Sequence, residues 1–155
     1  GCAVENPTES EIRELARANL FAAKVGLLSQ EELVAWADER IRTLPNPPEF
    51  LTTISLGEEA GLDRLDRFDI EQDKPSAVVC RLLVMEVLQR IEADRLIFDD
   101  LEAVVFKIVG YLDVNSPFRA DLSWVSCELD LANIGIIKQR QPHPDVLKVL
   151  RKLAK

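Results

Sequence analysis

The sequence predicts an all-α protein, an irregular bundle of six or seven helices around a central apolar helix at about 76–91. Three observations predict it. Helix-capping pairs stand just ahead of apolar residues that recur every three to four positions. Glycine and proline fall where those periodic stretches end. No alternating strand pattern of useful length occurs: residues 134–137 are the one candidate, and Gly135 weakens it.

The first helix is expected over 9–25. Thr8 and Glu11 form a capping pair, Ile12, Leu15, Ala16, Leu20 and Ala23 make the apolar face, and Gly26 stops it. Ser29 and Glu32 cap the second helix, with Leu28 and Leu33 as a hydrophobic staple. Leu33, Trp36, Ala37, Ile41 and Leu44 then share a face, and Arg40 projects into that arc, snorkelling or meeting a carboxylate. The run Pro45-Asn46-Pro47-Pro48 ends the element.

A short helix over 49–56 closes at Gly57, and the triplet-like run 62–69 reads as a further short helix or turn. In the central helix only Arg81, Glu86, Gln89 and Arg90 are polar between Ala77 and Ile91, so burial on most sides is expected. Glu86 and Arg90 form an i,i+4 pair. The fifth helix begins at Asp99 or Asp100, with Leu101, Val104, Val105, Ile108, Val109 and Leu112 as its stripe. Ser116-Pro117 reads as the start of a sixth, which carries Leu122, Val125, Leu129 and Ala132 to the core with Trp124 and Leu131 beside them. After a polar, proline-bearing loop, a last helix over 145–154 places its acid first and its bases last, matching the helix dipole.

A chain of 155 residues, 47% hydrophobic and 30% charged, suits one domain spanning 1–155 and can bury a core without staples. No apolar run approaches the roughly 18 residues that a membrane span needs, and no signal-peptide pattern is visible. The opening Gly1-Cys2 reads as a tag remnant or a trimmed start, with the edge of a lipoprotein cleavage site as the other reading. Cys2, Cys80 and Cys127 are odd in number and show no metal or redox spacing, which favours a reduced, cytoplasmic setting.

Charge is informative by segment. Twelve acids face four arginines over residues 29–73, so the whole formal charge of −8 is matched by that segment alone. Residues 138–155 are basic, but the tail is too short to offset the acids, and a nucleic-acid partner is not expected. The expected partner is a basic protein. The residues expected to meet it are Glu31, Glu32, Asp38, Glu39, Glu58, Glu59, Asp63, Asp66 and Asp69. The alternative is that these acids only keep the surface solvated.

Catalytic chemistry finds little support. The single histidine, His143, lies between two prolines and reads as a loop or N-capping residue; alone it builds neither a zinc site nor a triad. The glycines are scattered, so no phosphate-binding loop forms. Asp63, Asp66, Asp69 and Asp73 share an arc if helical, but Arg64 and Arg67 interleave, and a self-paired solvated face is the simpler reading than a metal site. No catalytic residue, metal or cofactor is therefore expected. A pocket near the central helix, using Glu86 and Arg81 for a small ligand or a reaction, is the alternative function. Self-assembly through the fifth and sixth helices is a further possibility.

Residues 26–65 resemble small acidic helical bacterial proteins of the polymorphic-toxin immunity type. The resemblance rests on Gly26 to Leu33, Trp36-Ala37-Asp38, Pro47-Pro48, Ile54-Ser55-Leu56 and the Leu62 to Leu65 run, about a quarter of the chain. It implies a cytoplasmic inhibitor that occludes a toxin's active site and has no chemistry of its own.

Overall fold

Capping side chains and apolar spacing set the helices, and a computed structural model describes residues 7–57, 68, 70, 73–96, 98–134 and 142–155. Among these there are seven α-helices and no strand: α1 (Glu9–Lys24), α2 (Gln30–Thr43), α3 (Glu49–Ser55), α4 (Ala77–Glu92), α5 (Phe98–Tyr111), α6 (Arg119–Ile134) and α7 (Pro144–Leu153). The protein is all-α. Its contacts group into two compact units, residues 1–72 and 73–155.

In the first unit, the Thr8 hydroxyl accepts the Glu11 amide at 3.2 Å and starts α1. Ile12, Ala16, Ala18, Phe21 and Ala22 are its buried side chains. The helix ends as a Schellman turn: Gly26 takes φ +80°, and the Leu27 and Gly26 amides return to the Ala22 and Ala23 carbonyls. At α2 the capping box is complete in both directions, Glu32 amide to Ser29 hydroxyl at 3.1 Å and Ser29 amide to Glu32 carboxylate at 3.2 Å. Both staple residues, Leu28 and Leu33, are buried. α2 packs chiefly on α3, which buries Phe50, Leu51 and Ile54. Phe68 meets Phe50 edge to face at 6.4 Å between ring centres. The Arg13 guanidinium lies 5.3 Å over the Phe50 ring and donates to the Phe68 carbonyl, tying that segment to α1 and α3. The rest of the helix or turn expected over 62–69 lies outside the described residues.

In the second unit, the Ser76 hydroxyl accepts from the Val79 amide and starts α4. Val79, Cys80, Leu83, Val84, Val87, Leu88 and Ile91 are buried, with α7 as the main neighbour in its unit. Burial on most sides was too strong an expectation, because Val78 and Met85 stay exposed. They fall on the same side of the helix as Arg81 and Gln89, whose polar heads hold that side in water. α4 also ends as a Schellman turn, with Asp94 at φ +54° and the Arg95 and Asp94 amides returning to Arg90 and Ile91. α7 buries Val146, Leu150 and Leu153, and His143 caps it: its Nδ1 accepts from the Asp145 amide at 3.1 Å.

α5 and α6 form a helical hairpin. In the turn between them, the Asp113 carboxylate accepts from the Asn115 amide at 3.2 Å and the Ser116 hydroxyl from the Phe118 amide at 3.3 Å. The Arg119 guanidinium donates to the Leu112 carbonyl at 2.9 Å. Ser116-Pro117 does not open the helix as expected. Those residues are spent on the turn, and α6 starts at Arg119.

The two Schellman turns test one another. Gly26→Ala forces a Cβ into the left-handed region and costs about 1 kcal/mol, whereas Asp94→Gly relieves the same strain and adds about 0.5 kcal/mol. Urea unfolding midpoints of the two variants should move in opposite directions. Asp113 predicts an acid dependence. The Asn115 amide first, then the Lys74 ammonium 3.4 Å away, holds its carboxyl below the ordinary 3.8. A depressed carboxyl supports the fold above its unfolded value and loses that support as pH falls. Asp113→Asn should flatten the stability loss as pH falls through the ordinary carboxyl range in a denaturation series.

Candidate protein-binding surface

Nine carboxylates were expected to form the docking face. Four of them, Glu31, Glu32, Asp38 and Glu39, are described; Glu58, Glu59, Asp63, Asp66 and Asp69 lie outside the described residues. Glu31, Asp38 and Glu39 are exposed on one side of α2, at i, i+7 and i+8. Most of the four have local duties. Glu32 closes the capping box, Asp38 accepts a hydrogen bond from the Ser55 hydroxyl, and Glu39 pairs with Arg42. Exposed pairs of this kind are worth little, about 0–1 kcal/mol. They also lower the net charge that α2 offers to a partner.

The alternative pocket near α4 was expected to use Glu86 and Arg81. Glu86 accepts from the Nε of Arg90 at 2.9 Å, an ordinary i,i+4 bridge, and Arg81 is exposed. Burial pushes the Cys80 thiol up to about 11, so it stays protonated and serves as packing. Among the described residues, no group of three or more His, Cys, Asp or Glu side chains is placed to hold a metal. No described helix is long and apolar enough to cross a membrane.

The surface that stands out is the outer side of the α5–α6 hairpin. α5 turns Leu101, Val104, Val105, Ile108 and Leu112 inward, and α6 turns Leu122, Val125 and Leu129 inward. Each helix then has large apolar side chains left over. Phe106 is 70% exposed, Leu131 63% and Trp124 40%. A groove of about 510 Å³ runs between the helices, lined by Glu102, Ala103 and Phe106 on one side and Ser126, Cys127 and Asp130 on the other. Single exposed apolar residues need no explanation; several on adjoining helices beside a groove make this the candidate surface.

Trp124 and Leu131 were expected beside the core. The structure corrects this, because both stand more than about 120° round α6 from its buried stripe. Sequence reasoning missed Phe106 altogether. A signal was present: Phe106 falls off the stripe set by Leu101, Val104, Val105, Ile108 and Leu112, and a large aromatic off the stripe must face outward. No known protein family, curated protein or solved structure matches this chain.

The groove and the core cysteine give a direct test of this geometry. In the Cys2→Ser protein at about pH 8, an aromatic disulfide reagent should titrate one thiol, Cys127, while Cys80 reacts only after denaturant is added. Two rapidly reacting thiols would refute the burial of Cys80.

Proposed function

We propose that this chain is a non-catalytic protein-binding protein of the inhibitor type that docks a basic partner, as an immunity protein holds its toxin, in a reduced cytoplasmic setting. The observation that carries the reading is the outer α5–α6 surface: Phe106, Trp124 and Leu131 exposed beside a groove that Glu102 and Asp130 rim with carboxylates. Aromatic and aliphatic side chains of this kind supply the desolvated centre of protein interfaces. The acids select a partner of opposite charge and speed its approach. The resemblance over residues 26–65 supports the inhibitor class. The free thiols Cys80 and Cys127 support the reduced setting.

The exposed carboxylates on α2 belong to this reading as a source of long-range attraction more than of contact energy. Surface charges beyond about 8–10 Å from a partner are largely screened at physiological salt. Their reversal should slow association, whereas truncation of Phe106 should shorten the life of the complex.

A photo-crosslinking residue placed at Leu131, in the cells that make the protein, tests the reading. Mass spectrometry should find an adduct with one basic protein, weaker when Asp130→Lys is added and absent from a control position at Thr43. An adduct with an acidic protein, or equal yields at the two positions, would refute a basic partner at this surface.

A further inference from the structure

We propose that His143 is a pH-dependent cap: its neutral imidazole closes the start of α7 through the Asp145 amide, and its protonated imidazole gives up that amide and pairs with the Asp145 carboxylate. The switch is independent of the docking surface on α5 and α6.

A backbone amide can only donate, so the nitrogen that accepts from Asp145 at 3.1 Å carries a free lone pair. With this cap in place, His143 is the tautomer that holds its proton on Nε2. Serine and threonine hydroxyls can accept at any pH, and Thr8, Ser29 and Ser76 cap α1, α2 and α4 in that way. The cap of α7 differs, because an imidazole loses its acceptor when it takes up a proton.

The new donor has an acceptor close by. Oδ2 of Asp145 lies 3.6 Å from the same Nδ1. Protonation turns Nδ1 from acceptor to donor, so the amide is released and a small rotation of the ring brings the carboxylate within hydrogen-bond distance. The main chain need not move. The Val146 and Leu147 amides return to the His143 carbonyl, and Pro142 and Val146 are buried on either side of it. The change is confined to one side-chain bond and the local charge. The Asp145 amide is left to water, and a positive charge arrives at the end of α7 that already bears the positive pole of the helix dipole.

No other charged group among the described residues competes for the ring. α4 and α6 pack against α7. On α4, Glu86 and Arg90 are bound to each other, and Arg81 and Glu92 are exposed. On α6, Asp121 meets Lys152 near the far end of α7, and Arg119 is bound to the Leu112 carbonyl. Glu128 and Asp130 complete the charged groups of α6, and neither forms an ion pair with His143. Lys148, Arg151 and Lys152 lie further along α7 itself.

Nuclear magnetic resonance of the full chain tests the switch. His143 is the one histidine, so labelling histidine with nitrogen-15 gives a single imidazole to follow. At about pH 7.5 its Nδ1 should resonate as an unprotonated nitrogen and Nε2 as a protonated one. Between about pH 7.5 and about pH 5, the protection of the Asp145 amide against solvent exchange, each rate divided by the intrinsic rate at that pH, should fall at least about threefold. His143→Asn puts a non-titrating acceptor at the cap, and in that variant the fall should vanish. Asp145→Ala keeps the backbone donor, so it should retain the tautomer at the higher pH. At the lower pH it should lose the slowed exchange of the Nδ1 proton that the carboxylate gives the wild type. The two side chains are 62% and 72% exposed, so neither substitution reaches the core. A protonated Nδ1 at about pH 7.5, equal protection at both pH values, or the same fall in His143→Asn would overturn the proposal. Unchanged exchange of the Nδ1 proton in Asp145→Ala would overturn it too, by removing the carboxylate as the second partner.

Discussion

The buried stripe shared by α5 and α6 fixes which side chains the pair can present outward. Leu101, Val104, Val105, Ile108 and Leu112 on α5 and Leu122, Val125 and Leu129 on α6 are each almost wholly removed from water. At about 1.5–3 kcal/mol per buried aliphatic side chain, the five on α5 alone contribute on the order of 10 kcal/mol. Rotating α5 to hide Phe106 would recover only about 2–3 kcal/mol and expose most of that set. Exposure of Phe106 is thus a consequence of the hairpin's own packing. The Arg119 bond to the Leu112 carbonyl and the Asp113 and Ser116 caps pin the turn and keep the two helices in that rotation.

Charge acts at two ranges in this protein. The net charge of −8 sets a long-range attraction for basic molecules, and salt screens it. Contact energy comes only from groups that lose water on binding, and at α2 those are few. Glu32 is committed to its capping box, while Asp38 and Glu39 hold Ser55 and Arg42. The groove differs because its two carboxylates flank exposed apolar surface. In the same unit α7 carries exposed Lys148, Arg151 and Lys152, and Lys152 reaches Asp121 on α6 at 3.4 Å. Acidic and basic surfaces therefore lie on neighbouring helices, a polarity that the total charge conceals.

The parts of the fold that depend on neighbours in sequence were legible in it. Thr8, Ser29 and Ser76 cap their helices, Gly26 ends α1, and His143 caps α7, each through contacts within a few residues. Where local chemistry offered two uses for the same residues, the reading slipped. Ser116-Pro117 suits a helix start and a turn equally, and the need to reverse the chain after α5 decided for the turn. Asp94 gave no sign of a left-handed terminus because aspartate enters that region far less readily than glycine. The site was the least legible part. Periodicity says which face of α6 is apolar, but apolar residues occupy most of its circumference, and only the placement of its neighbours shows which of them stay wet. Trp124 and Leu131 were absorbed into the core for that reason. The acidic segment drew attention because charge is conspicuous in a sequence, whereas an apolar side chain left in water is conspicuous only in a structure.

Placing Glu102 and Asp130 beside Phe106 also bears on what the surface refuses. An exposed aromatic patch invites any apolar surface, including other copies of the same chain and proteins caught partly unfolded. Carboxylates at its rim change the terms of that contact. In the proposed reading, a neutral partner that dries the groove must strip water from Asp130, and an acidic one adds repulsion. A cationic partner would offset that cost with a charge-assisted hydrogen bond. In the proposed reading the apolar residues provide adhesion and the acidic rim selects, so affinity and selectivity would sit on different side chains of one groove and be open to change one at a time.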